Sequence, residues 1–335
     1  MRLATTYCGL RLAHPLMPGA SPLADDLDTV RRLEDAGAAA IVMRSLFEEQ
    51  IEAEEHAAAA LDAHADTHAE ALTWLPRGDG FALGPDRYLE QIRRIKDAVR
   101  VPVIASLNGI SAGGWLHHAR LMEQAGADAL ELNVYYVATD PTETSAEVER
   151  RTLDVVRTVK DSVGIPVAVK LSPFFSALAH LAAELDAAGA DAVVLFNRFY
   201  QPDIDPEGLD VVPTLHLSES FETLPRLRWL AILSGRIRAS LAMTGGVHTG
   251  IDAVKAIMAG ADAVQMVSAL LRHGPEHLAR VRDDLVRWME EHEYGSVAEM
   301  RGSMSLARCP DPAAFERANY ARVLQGWRAD RAGEG

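Results

Sequence analysis

Polar residues that close otherwise apolar runs are where this sequence is expected to do chemistry. Lys170 ends Val167-Ala168-Val169, Asn133 ends Leu130-Glu131-Leu132, and Asn197 ends Val193-Val194-Leu195-Phe196. Asn108 closes Ser106-Leu107 in the same manner, and equally suits a turn. A polar group at the end of a buried strand costs about 1–3 kcal/mol without a partner, so a bound ligand is a natural one. The plainer readings are a lysine stem that snorkels to solvent and amides satisfied within loops. Chemically, Lys170 offers a cation beside an electron-rich ring or a Schiff-base amine. Thr244-Gly245-Gly246 and Met266-Val267-Ser268-Ala269 close the last two apolar runs. Backbone N–H groups and a helix start at such a place suit a phosphate, and glycines let the chain approach its oxygens. Glycine pairs also occur in plain turns.

The elements that hold these residues follow from a repeated phrase. Ala36-Gly37-Ala38, Ala125-Gly126-Ala127-Asp128-Ala129, Ala188-Gly189-Ala190-Asp191-Ala192 and Ala259-Gly260-Ala261-Asp262-Ala263 each follow a helical pattern and precede an apolar run. Glycine there suits a helix C-cap. The runs are continuous rather than alternating, the mark of strands buried on both faces. Val101-Pro102 and Ile165-Pro166 open two more runs, as proline at a strand's first residue allows. With the runs at 16–21 and 241–244 the count reaches eight strands. Helical segments at 28–36, 88–99, 115–125 and 146–163 lie between them. Eight strands alternating with helices predict a single α/β domain over 1–335, a (β/α)8 TIM barrel. An open doubly wound sheet would want a GxGxxG after its first strand, and none is present. Residues 46–85 and 199–225 are insertions after strands, so both are expected at the C-terminal face, as lids or homodimer contacts. Residues 311–328 are expected to form a helical tail, docked through Phe315, Val323, Leu324 and Trp327.

Composition narrows the function classes. The 335 residues are 48% hydrophobic and 24% charged, a globular balance. The net charge of −15 disfavours nucleic acid as a partner. No run of about 18 apolar residues marks a membrane span, and the N-terminus has no signal-peptide pattern, so a cytoplasmic location is expected. Cys8 and Cys309 read as free thiols and cannot hold an ordinary iron–sulfur cluster. His64 and His68, four apart beside Asp62 and Asp66, have metal-ligand spacing but equally suit a solvated helix face. His117-His118 read as a helix start, and Glu48, Glu49, Glu52, Glu54 and Glu55 as surface. No metal is expected.

The sequence resembles the dihydroorotate dehydrogenase family, close to its class 1 branch. The resemblance spans most of the chain. It rests on Thr5-Thr6-Tyr7, His14-Pro15, the Leu132-Asn133 and Asn197 strand ends, Val169-Lys170-Leu171, and Thr244-Gly245-Gly246-Val247 followed by Gly260-Ala261. The glycine element is shared with other FMN barrels. The resemblance implies FMN over the barrel mouth, its phosphate on Gly245, Gly246 and the Ser268-Ala269 backbone. It implies Lys170 beside the ring, where a cation stabilises negative charge on the reduced flavin. Ala20, Ser21, Arg44, Asn108 and Asn133 would contact the cofactor, and Asn133 and Asn197 the substrate.

The departures from that pattern lie at the substrate end. The family's Asn-x-Ser-Cys-Pro-Asn, with Ser for Cys in class 2, reads Asn133-Val134-Tyr135-Tyr136-Val137-Ala138. Tyr136 stands at the base position, and Ala138 replaces a substrate asparagine. The loop that supplies another reads Phe81-Ala82-Leu83-Gly84-Pro85. Arg44 stands for a flavin-contacting lysine and Arg198 for a small serine. Leu227-Arg228-Trp229 takes the place of a glycine-rich flavin loop. Phenols ionise near pH ~10, so a tyrosine there suits proton donation better than abstraction. The sequence thus predicts an FMN-dependent oxidoreductase acting on a CH–CH group of a small, pyrimidine-like substrate. Tyr136 and Lys170 are its catalytic candidates, and an external electron acceptor or redox partner protein completes it. The alternatives are a true dihydroorotate dehydrogenase of pyrimidine biosynthesis with a substitute base, a non-flavin phosphate-binding barrel of aldolase or isomerase type using Lys170, and a non-catalytic partner protein.

Overall fold

The apolar runs form β1 (Leu16–Pro18), β2 (Ile41–Phe47), β3 (Val103–Asn108), β4 (Ala129–Asn133), β5 (Val167–Leu171), β6 (Ala192–Leu195), β7 (Ser240–Thr244) and β8 (Ala263–Met266). These come from a computed structural model that describes residues 1–52, 84–109, 115–198, 202–212 and 215–326. The strands pair in parallel in the order β1-β8-β7-β6-β5-β4-β3-β2. At the remaining seam the Ala39 amide donates to the Leu16 carbonyl at 3.1 Å, so β2 starts against β1. The fold is the expected (β/α)8 barrel.

The helices lie outside it: α1 (Leu27–Asp35), α2 (Pro85–Ala98), α3 (Trp115–Gln124), α4 (Ser145–Ser162), α5 (Leu178–Ala187), α6 (Thr223–Leu233), α7 (Gly250–Ala259), α8 (Ser268–His273) and α9 (His277–Glu291). Helix α4 shows why they form. A capping box between Thr144 and Glu147 starts it, and Thr152, Val155, Val156 and Val159 bury one stripe.

The repeated Ala-Gly-Ala phrase does two jobs. Its glycines take positive φ, from 90° to 127°, which ends each helix. Its aspartates hold the neighbouring strand: Asp128, Asp191 and Asp262 accept from the amides of Val103, Val167 and Leu241 at 2.7, 2.8 and 2.8 Å. A cation completes each clamp, with Lys96, Lys160 and Arg301 at 2.7, 2.6 and 2.6 Å.

The N-terminal end of the barrel is plugged. Thr5–Tyr7 and Leu10–Leu12 form a hairpin that turns on Cys8 and Gly9, both at positive φ. Tyr7, Cys8 and Leu12 pack inside with Met17, Val42, Ile104, Ala168, Val194 and Ala242. Polar strand ends therefore collect at the opposite, C-terminal mouth.

Several expectations need correction. Val103 and Val167, not the residues before Pro102 and Pro166, begin their strands, because proline has no N–H to give the ladder. Residues 199–225 include an antiparallel pair, Asp203–Asp205 with Asp210–Val212, and α6 already begins at Thr223. Leu227-Arg228-Trp229, which takes the place of a glycine-rich loop, lies inside α6. Phe315 packs against the core as expected, whereas Val323 and Leu324 are exposed. Glu48 is buried; Glu49 and Glu52 are exposed. Asp62, His64, Asp66, His68, Glu54, Glu55, residues 81–83 and Trp327 lie outside the described residues.

Candidate functional site

Strand register assembles the polar ends in a row. Asn108 pairs with Asn133 across β3 and β4, and Asn133 with Lys170 across β4 and β5. Asn197 follows β6; its amide nitrogen donates to the Asn133 Oδ1 at 3.0 Å, and its backbone N–H to the Leu171 carbonyl at 2.7 Å. The Leu195-Phe196 peptide just before it is cis. Asn108, Asn133 and Lys170 are all buried. Their strands are braced from outside: the Tyr88 hydroxyl of α2 donates to the Ser106 carbonyl at 3.1 Å. Gln91, one turn on, donates to the carbonyls of Ala24 and Asp25, both at 3.1 Å, which ties down the loop after β1.

One layer below the mouth lies a residue that the strand-end reading passed over. Glu131 is 0% exposed and Lys170 7%. The Lys170 ammonium donates to Glu131 Oε1 at 3.1 Å, and the Gln265 amide donates to Glu131 Oε2 at 2.6 Å. Glu131 sits mid-run in β4, two positions before Asn133, so the period-two alternation sends it to the same face. A glutamate inside an apolar run was the available signal. This pairing directs Lys170 at a carboxylate in the barrel interior, not at a carbonyl in the mouth.

The first two strands close the row. Gly19 permits close contact with β8: a Cβ there would meet Val267 at 2.9 Å and Gln265 Oε1 at 3.1 Å. Ala20 follows, half-buried, and then Ser21, whose buried hydroxyl has no partner among the described residues. Arg44 sits where the β2 register shifts and pairs with Asp25 at 2.8 Å. Burial raises the Asp25 carboxyl above the usual range, and Arg44 opposes that shift.

Tyr136, in the loop after β4, is already engaged. Its hydroxyl donates to Glu143 at 2.7 Å. Arg151 pairs with the same carboxylate and lies over the phenol ring, 4.4 Å from its centroid.

The glycine turn ends β7. Gly245 and Gly246 have φ of 87° and 81°, a region that favours glycine. A Cβ on Gly246 would lie 3.0 Å from the Glu219 carbonyl oxygen, and one on Gly245 2.8 Å from Arg226 Nη2. Residues 218–226 therefore form the wall of the cradle. Ser218 bridges it: its hydroxyl accepts from the Gly246 amide at 3.1 Å and donates to the Ser268 hydroxyl at 2.8 Å. The Ser218 amide also donates to Ser268, at 3.0 Å. Ser268 opens α8, so Ala269 lies in its first turn. The glycine turn permits the close approach of a phosphate, and the buried Ser21 hydroxyl after β1 suits a polar ligand atom.

Of the twelve candidates, Arg44 lies mid-strand in β2, and the others stand at or within three residues of the C-terminal strand ends. No helix among the described residues is long and apolar enough to cross a membrane.

No protein-family model matches the chain. Curated relatives do. The catalytic subunit of dihydroorotate dehydrogenase B (NAD(+)) from Thermoplasma acidophilum is 29% identical over 313 residues, 90% of this chain and 98% of that protein. The subunits of the same name from Pyrococcus abyssi and Methanothermobacter thermautotrophicus are 27% and 25% identical. Each again covers 90% of this chain, with 98% and 97% of the relative. Identities of 25–29% over about 90% of the chain support membership of the dihydroorotate dehydrogenase family of oxidoreductases.

Proposed function

We propose that the chain is an FMN-dependent oxidoreductase acting on a CH–CH group of a small, pyrimidine-like molecule. The observation that carries this reading is the convergence of Asn108, Asn133, Lys170 and Asn197 beside the Gly245-Gly246 turn at one barrel mouth. Bound FMN supplies hydride chemistry at its N5. The residues that would hold it are Gly245, Gly246, Ser268 and Ala269 at the phosphate, with Ala20, Ser21, Arg44, Asn108, Asn133 and Lys170 along the ring and chain. Asn133 and Asn197, linked by their hydrogen bond, orient the substrate. Lys170 would set its cation near the ring, with its ammonium held by Glu131 one layer below the mouth. In the reductive direction, with FMN bound, the Tyr136 hydroxyl would give its proton to one carbon of the substrate double bond. Glu143 now holds that proton, so the hydroxyl must turn from Glu143 to deliver it. Relatives named as catalytic subunits favour a separate redox partner for this chain too. Exposed apolar residues on the loops after β4, β5 and β6, among them Val137, Phe174, Ile204 and Phe221, suit such a contact or a second copy.

The relatives' names favour a second reading, oxidation of dihydroorotate itself. Anaerobic mixing separates the two. The FMN-reconstituted protein is exposed to dihydroorotate and to other dihydropyrimidines, and the oxidised flavin band is followed. Bleaching by dihydroorotate selects the second reading, and bleaching by another dihydropyrimidine alone selects the first. A band that persists with all of them, and that stays bleached when the chemically reduced protein meets the unsaturated pyrimidines, sinks both.

A further inference from the structure

Arg226 is a buried cation that forms no ion pair among the described residues. It lies on α6, is 7% exposed, and burial holds its guanidinium below the ordinary arginine range. The carboxylate of Glu222 opposes that shift and Arg198 adds to it. Among the described residues no carboxylate pairs with Arg226. Glu222 faces Arg198 at 3.8 Å, and Glu219 pairs with Arg272 at 2.6 Å. A charge out of water is retained where something pairs with it. Two of its nitrogens are committed to backbone: Nε donates to the Thr244 carbonyl, and Nη1 to the Glu222 carbonyl at 2.6 Å. Its Nη2 faces the Gly245 turn. Ser218, which accepts from the Gly246 amide, also donates both its amide and its hydroxyl to Ser268 Oγ. The Ser268 proton is then left to donate outward. A guanidinium edge and a hydroxyl proton without a partner among the described residues beside one glycine turn suit an anion. Lys170 differs, because Glu131 already balances it.

We propose that Arg226 is the counterion of the cofactor's phosphate and makes the barrel select FMN over riboflavin, an inference that rests on the flavin reading above. The full-length apo protein is titrated with FMN and with riboflavin, reading quenching of flavin fluorescence, as wild type, Arg226→Gln and Arg226→Met. A charge-assisted hydrogen bond predicts that each substitution weakens FMN roughly ten- to hundredfold and leaves riboflavin unchanged. Inorganic phosphate is expected to raise the thermal midpoint of the wild type and not of either variant. Unchanged FMN affinity in the variants overturns the role of Arg226 and leaves the flavin reading standing. An equal loss of FMN and riboflavin affinity also overturns it, because that is the pattern of a structural brace. If the wild type binds neither flavin, the cofactor reading falls. The phosphate experiment then decides the anion site alone, and loss of the phosphate shift in Arg226→Gln supports it.

Discussion

Replacing Glu131 by leucine isolates the Lys170 ammonium inside the barrel. Lys170 and Glu131 are almost fully buried, with side chains 8% and 0% exposed, so solvent screening does not discount the pair. Removing one partner of a buried ion pair costs about 3–5 kcal/mol, because the other charge stays buried. The Gln265 amide also loses its acceptor, at about 1–3 kcal/mol, a cost that overlaps the first. Glu131→Leu is therefore expected to destabilise the apo protein by about 3–5 kcal/mol, measured by urea unfolding. The double variant Glu131→Leu with Lys170→Met removes both charges, and a buried pair replaced by apolar side chains is often near neutral. It should recover most of the loss. A single-variant cost under about 1 kcal/mol, or a double variant no more stable than Glu131→Leu, refutes the view that Glu131 holds a buried charge at the mouth.

Three further outcomes follow from particular side chains. His14 accepts from the Leu16 amide at Nδ1, at 3.2 Å, so Nε2 carries the proton shared with the Gly37 carbonyl at 2.5 Å. Burial holds its imidazole below the usual range; the Gly37 hydrogen bond opposes this and Arg282 adds to it. The unfolded chain thus takes the proton more readily. The stabilisation is complete above pH ~6.5 and is lost as the pH falls below it. His14→Gln should flatten that limb of the urea-midpoint profile, and an unaltered limb counts against the assignment. Tyr136→Phe should slow turnover by roughly 10²–10⁴-fold with FMN affinity intact, and equal rates would remove Tyr136 as the acid. Cys8, its thiol pushed up by burial, should react with a thiol reagent only after unfolding.

The barrel was legible because its signals are local and repeated. Each Ala-Gly-Ala phrase fixes a helix end, and each continuous run that follows fixes a strand. The register that sets Asn108, Asn133 and Lys170 side by side follows from strand order, so their assembly was readable too. What escaped were pairings between distant positions. Nothing local joins Gln265 to Glu131, or Ser218 to Gly246 and Ser268. Arg226 looks like an ordinary helix-surface cation until the fold turns it toward Gly245. The tail misled for the opposite reason: Val323 and Leu324 have helical spacing, but no apolar surface among the described residues covers them.

Absorbance titration of the apo protein with FMN tests the central claim most directly. Saturable binding of FMN, equimolar with the chain and with a shifted flavin spectrum, is the expected result. A spectrum identical to free FMN at every ratio contradicts a flavin site at this barrel mouth.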